Sequence, residues 1–173
     1  MPSKEVNVFY KIIKRADDIL GFHTAQAHCD IPCGIYDPTP AQIDALTVVR
    51  MMDLMAALDE REAEDKLTYH NSMTRYIVVK EEHAENLKNE IRVIWGDYMK
   101  GNILEKYPQT HDLVHKIMKL ASTARQTADR EAGLELVDAV NEFAEIFWAT
   151  KNVSTKKAKA PYAPGLEMVY PDL

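Results

Sequence analysis

His28-Cys29-Asp30-Ile31-Pro32-Cys33-Gly34-Ile35-Tyr36-Asp37-Pro38, followed at once by Thr39-Pro40-Ala41-Gln42, is the stretch where this 173-residue chain is predicted to pass from a loop into a bundle of helices. Pro38 and Pro40 keep the loop out of helix, because proline has no amide proton to give and clashes with the preceding turn. Thr39 can cap, Pro40 suits the first helical position and Gln42 completes a capping box. From there the apolar residues recur at steps of three and four. The first helix is expected to run to about Glu64, with Ile43, Leu46, Val49, Leu54, Met55 and Leu58 inward. A second, from about Ser72 to Tyr98, carries Met73, Ile77, Ala84, Leu87, Ile91, Ile94 and Tyr98. A third, from about Gln109 to Asp129, carries Leu113, Ile117, Leu120 and Ala124, and a fourth, to Thr150, carries Leu134, Val137, Val140, Ala144 and Phe147. Four amphipathic helices with short connections predict an all-α, antiparallel up-down four-helix bundle over 39–150. No strand alternation competes with it. The tail 151–173, rich in lysine and proline, reads as an extended arm.

The loop concentrates chemistry. Both cysteines of the chain lie in it, and His28 adjoins the first. Just upstream, Ala25-Gln26-Ala27 is a small-x-small cleavage pattern. A cut between Ala27 and His28 would make His28 a new N-terminus. Its amine and the amide nitrogen of Cys29 close a five-membered chelate ring through one metal, and the same amide with the Cys29 sulfur closes a second. Cys33 returns a second thiolate across a short loop, and the His28 imidazole can serve as an axial ligand. An in-plane N,S set suits Ni(II) or Cu(II) rather than tetrahedral zinc. Geometry alone leaves nickel and copper both open. A small disulfide loop or two inert thiols is the plainer reading of a cysteine pair, and zinc would want a second pair that the chain lacks.

Composition narrows the field. The net charge is −6, so the chain has no electrostatic footprint for nucleic acid. No apolar run reaches membrane-spanning length. Segment 1–27 carries Lys4, Lys11, Lys14 and Arg15 against Glu5, Asp17 and Asp18, so its removal leaves −7 before the new amine is counted. Its apolar residues Val6, Phe9, Ile13, Ala16 and Leu20 mark an amphipathic helix, not the unbroken core of a secretory signal, and its acids argue against a transit peptide. We read 1–27 as a helical pro-segment and the processed protein as cytoplasmic. There is no Gly-rich phosphate loop, serine nucleophile elbow or dinucleotide fingerprint.

Residues 28–38 resemble the nickel hook of the nickel-dependent superoxide dismutases, H-C-x-x-P-C-G-x-Y-D-P, at all eight fixed positions: His28, Cys29, Pro32, Cys33, Gly34, Tyr36, Asp37 and Pro38. The blocks Val78–Glu85, Trp95–Lys100 and Ile146–Trp148 are similar to further blocks of that family, so the likeness spans about 28–150. It implies one nickel ion per subunit, held by His28, Cys29 and Cys33, and disproportionation of superoxide to dioxygen and hydrogen peroxide with the metal passing between Ni(III) and Ni(II). It implies a homohexamer, and a dedicated signal-peptidase-like protease that removes the pro-segment. Tyr36 is implied to stand over the open face of the metal and control approach, and Tyr98 and Lys100 to lie near the same mouth, Lys100 as the local attractor for an anion. Asp30 is implied to fix the loop by hydrogen bonds, and Pro32 to be cis so that Cys33 faces Cys29. Two positions depart from the family. Where it commonly supports the axial imidazole with a glutamate paired to an arginine, this chain has Asp44 and His83. The alternative function is a nickel or copper binding and delivery protein that uses the hook without turnover.

Other candidates are weaker. His111 and His115 stand one turn apart in an arrangement like the zinc helix H-E-x-x-H, but Asp112 replaces the base, and a solvent-facing pair is expected. His23 and His70 have no supporting pattern. Met51, Met52, Met55 and Met118 read as core filler.

Overall fold

A computed structural model describes residues 33–60 and 65–173. The pro-segment, the Ala27–His28 bond, and Cys29, Asp30 and Pro32 of the hook lie outside the described residues. Helix α1 is Thr39–Asp59 and α2 is Lys66–Val93, which continues into a π-helical turn, Ile94–Tyr98. A short α3, Asn102–Lys106, leads into α4, Thr110–Gln126, and α5, Arg130–Thr150. The four long helices pack in a ring: α1 touches α2 and α5, and α4 touches the same two.

The predicted stripes form most of the core. Leu46, Val49, Ala84, Leu87, Ile91, Ile94, Leu113, Ile117, Ala124, Val137, Val140, Ala144 and Phe147 are all buried. Met52 joins them, while Met51, Met55 and Met118 are half-buried. Ile43 and Ile77 depart from the expectation and face outward. In the first two turns of α1 the inward face belongs to Ala41, Gln42 and Ala45, small or amide side chains that let other elements approach. The α1–α5 contact is close for a similar reason. A Cβ on Gly133 would stand 3.1 Å from both Val49 Cγ2 and Met52 Sδ.

Helix α1 starts by different chemistry from the capping box expected of Thr39 and Gln42. The N-cap is Pro38, with no side-chain cap. Asp37 Oδ1 instead accepts the Thr39 amide proton at 2.7 Å. Gln42 is spent elsewhere, on the C-terminal arm. That arm, expected as an extended tail, folds back as an antiparallel hairpin of β1, Thr155–Lys159, and β2, Glu167–Pro171. Gln42 Nε2 donates to the Val169 carbonyl at 3.1 Å, and the Val169 amide donates to Gln42 Oε1 at 2.8 Å. One side-chain amide thus pairs with the free edge of β2 as a neighbouring strand would. Asn141 Nδ2 of α5 donates to Glu167 O at 2.9 Å on the same edge. Met168, Val169 and Ala160 are buried, so the hairpin closes the outer face of α1 and α5.

Helix α2 is fixed at its start by Asp65, whose carboxylate accepts from the amides of Leu67 and Thr68 and from the Thr68 hydroxyl. These bonds, the Thr68 hydroxyl foremost, hold its pKa below the usual 3.8. The unfolded carboxyl therefore binds a proton more readily, and the cap stabilises the fold fully above 3.8 and loses its contribution as pH falls below it. Asp65→Ala is expected to accelerate hydrogen exchange in the first turn of α2 at neutral pH, with the difference from the parent shrinking in acid.

Gln42→Leu strips two partners from a buried strand edge. It is expected to cost about 1–3 kcal/mol in urea unfolding, and to expose the hairpin to proteolysis ahead of the helices.

Candidate metal centre and its surroundings

Of the proposed donors, Cys33 is the one within the described residues, and it is exposed. Tyr36, three residues on, is half-buried and packs against the core. Gly34, between them, takes a φ of +73°, in the left-handed region that glycine adopts without strain. Among the described residues no three His, Cys, Asp or Glu side chains gather as a metal-holding group. The residues of 28–33 fit nickel by their chemistry: two thiols and an imidazole, joined by an amine if the chain is cut before His28, are donors that nickel accepts.

Between α1 and α2, the structure joins Asp44 and His83. His83 Nδ1 lies 2.6 Å from Asp44 Oδ1, across the α1–α2 contact. The Asp44 side chain is 12% exposed and that of His83 31%. Burial pushes the Asp44 carboxyl up from 3.8, and the hydrogen bond and charge of His83 pull back against it. The two positions read as departures from the family pattern thus lie in contact. A buried acid on the first helix is met by a basic ring on the second.

The aromatic side of the site is built by the π turn. Met99 N bonds Ile94 O across five residues, a wider pitch that ends α2 and sets Tyr98 on the end of the bundle. The Tyr98 ring meets Tyr36 at 5.4 Å and Phe147 at 5.2 Å. Its hydroxyl is 2.6 Å from Thr150 Oγ1. Thr150 donates to the Phe147 carbonyl at 2.6 Å, so the Tyr98 phenol is the donor in the Tyr98–Thr150 bond. Tyr98 is therefore a positioning ring for Tyr36, with its own proton engaged in holding the end of α5.

Lys100 is exposed, and among the described residues it makes no ring or ion-pair contact with either tyrosine. The cation at the pair is Lys151, whose Nζ is 4.3 Å from the Tyr98 ring centroid. Sequence reasoning missed Thr150 and Lys151. The signal available was their place just beyond the Ile146–Trp148 block.

The Val78–Glu85 block serves three contacts at once. Lys80 is buried and donates to the carbonyls of Ala124, Arg125 and Thr127, closing the C-terminal end of α4. Burial lowers its pKa. Glu81 and Glu85 hold Arg125 at 3.0 and 2.6 Å. His83, on the adjacent face, reaches Asp44. His111 and His115 are both exposed, as expected, and His111 Nδ1 accepts from Trp95 Nε1 at 3.3 Å.

A family model described as nickel-containing superoxide dismutase matches residues 23–151. The chain belongs to the nickel-containing superoxide dismutases. Its enzyme class is thus oxidoreductase, its cofactor nickel and its substrate superoxide. It is 38% identical over 128 residues to a nickel superoxide dismutase of Streptomyces coelicolor, covering 74% of this chain and 91% of that one. A native nickel superoxide dismutase structure matches with a TM-score of 0.63 and 39% identity, over 72% of this chain and 99% of that one. A second structure, whose nickel ligation corresponds to the oxidised state, matches with a TM-score of 0.62 and 38% identity over the same shares. The family match ends at residue 151, so the hairpin lies beyond it in this nickel-containing superoxide dismutase.

In metal-free protein, His83→Ala leaves the Asp44 carboxyl buried without its partner. The expected loss is about 1–3 kcal/mol in chemical denaturation. Asp44→Ala with His83→Ala is expected to cost less than the two single losses added together.

Proposed function

We propose that the nickel of this superoxide dismutase is held at a site made by proteolysis, with His28 as the N-terminus left by cleavage after Ala27. The His28 amine, the Cys29 amide and the Cys29 and Cys33 thiolates would hold one ion per subunit, with the His28 imidazole as a further ligand. Nickel supplies one-electron chemistry there, passing between Ni(III) and Ni(II), so that one superoxide is oxidised to dioxygen and another reduced to hydrogen peroxide. The observation that carries this reading is the family match across 23–151, which spans the whole hook.

The chain's own residues bind, orient and screen. Amine, amide and thiols each lose a proton on binding, so the site weakens in acid. Tyr36, backed by Tyr98, restricts what reaches the thiolates, which peroxide would otherwise oxidise stepwise toward sulfinic acid. Asp44 and His83, paired with one another, would orient the His28 imidazole, as a histidine ligand requires. Asp30 and Pro32 shape the loop so that the two sulfurs converge.

The enzyme works as a cytoplasmic homohexamer after a signal-peptidase-like protease has removed 1–27. Among the described residues no helix is long and apolar enough to cross a membrane. Ile35 is 78% exposed and Val78 56% exposed, apolar surface of the kind that subunit packing covers.

N-terminal sequencing and elemental analysis test the central claim. Active protein is expected to start at His28 with one nickel per chain, and the uncut chain to be inactive. Cys29→Ser and Cys33→Ser are each expected to abolish nickel binding and activity. His28→Ala keeps the amine, so it is expected to retain nickel but lose most of its turnover. Nickel-loaded protein that begins at Met1, or full activity without either thiol, would overturn the proposal.

A further inference from the structure

We infer that Lys151 is the anion-attracting residue of the tyrosine mouth, drawing superoxide toward the face that Tyr36 guards. The inference rests on the proposed position of the nickel site beside Tyr36. The chain carries −6, so its overall field repels an anionic substrate, and attraction must come from a local cation. Lys100 was the expected candidate, but among the described residues the cation seated on the Tyr98 ring is Lys151. Lys151 Nζ lies over Tyr98 at 4.3 Å and is 5.8 Å from the Phe147 centroid, and Tyr98 in turn touches Tyr36.

Three features suit Lys151 to the task. The residue is exposed, so the ammonium presents a hydrated side to incoming ions. Among the described residues no carboxylate pairs with it, whereas Lys156 is held by Asp172 and Lys157 by Glu145. Its place is fixed twice. The ring face holds the ammonium, and the Tyr98–Thr150 bond ties that ring to the residue preceding Lys151.

The test has two arms. In processed, nickel-loaded enzyme, kcat/KM is measured against ionic strength by pulse radiolysis. Lys151→Gln is expected to lower it about 3- to 10-fold at low salt and to flatten its salt dependence. Lys151→Arg should restore both, and Lys156→Gln, which removes the same charge from the hairpin, should leave both as in the parent. The second arm uses metal-free protein carrying Trp95→Phe, so that Trp148, whose ring meets Phe147 at 5.1 Å, is the sole indole reporter. Lys151→Gln should reduce quenching by iodide and not by neutral acrylamide. A parental rate and salt slope in Lys151→Gln, or a lower rate with an unchanged slope, would overturn the inference, the latter because it marks packing rather than charge. If the parent itself shows no dismutase activity, the functional reading fails, and the iodide arm still decides whether Lys151 forms an anion site. Equal loss or no loss with both quenchers counts against it.

Discussion

A carboxyl group that folding nearly seals from water must find a partner, and that demand on Asp44 ties the two halves of this site together. Asp44 sits on the second turn of α1, a few residues after the hook ends, amid Ala41, Ala45, Leu46 and Val48. Leaving it unpaired would cost a large part of the margin by which a domain of this size is stable. His83 supplies the partner from the middle of α2, so the register of α1 against α2 is fixed by a polar bond set in an apolar seam. A purely apolar seam tolerates sliding by small repacking. A 2.6 Å contact does not.

The same logic explains why one short block of α2 carries so much. On a helix, Lys80, Glu81, His83 and Glu85 point in several directions, and between them they meet three different neighbours. Lys80 ends α4 by taking three of its orphan carbonyls. Glu81 and Glu85 clamp Arg125 just beside them. His83 faces α1. The block therefore sets α2 against both flanking helices at once, so a family resemblance there reports architecture as much as chemistry.

The helices were legible because their burial is periodic. Leu87, Ile91 and Ile94 announce a seam wherever the chain is read. The family likeness was legible for another reason: its matching residues crowd into one short stretch, 28–38, and can be read before any folding. Neither condition holds for the rest. Strand β1, Thr-Lys-Lys-Ala-Lys, shows no alternation because most of its residues stay exposed. Its partner is secured by Gln42, 127 residues away, a contact no local pattern encodes. The seat of Lys151 on Tyr98 follows a π turn at Ile94–Tyr98, which a regular 3.6-residue reading of the sequence does not anticipate.

The substitution of a shorter acid and a smaller base at positions 44 and 83 can now be weighed against the geometry. A glutamate and an arginine reach further, and both keep their charge across the neutral range. Aspartate and histidine nonetheless meet at 2.6 Å across the α1–α2 seam, where α1 presents the small residues Ala41 and Ala45. The difference lies in the number of donors. An arginine carries a planar fork of N–H groups that can meet a carboxylate at two points, whereas His83 meets Asp44 through one ring nitrogen. The seam between α1 and α2 is therefore joined here by a single polar contact.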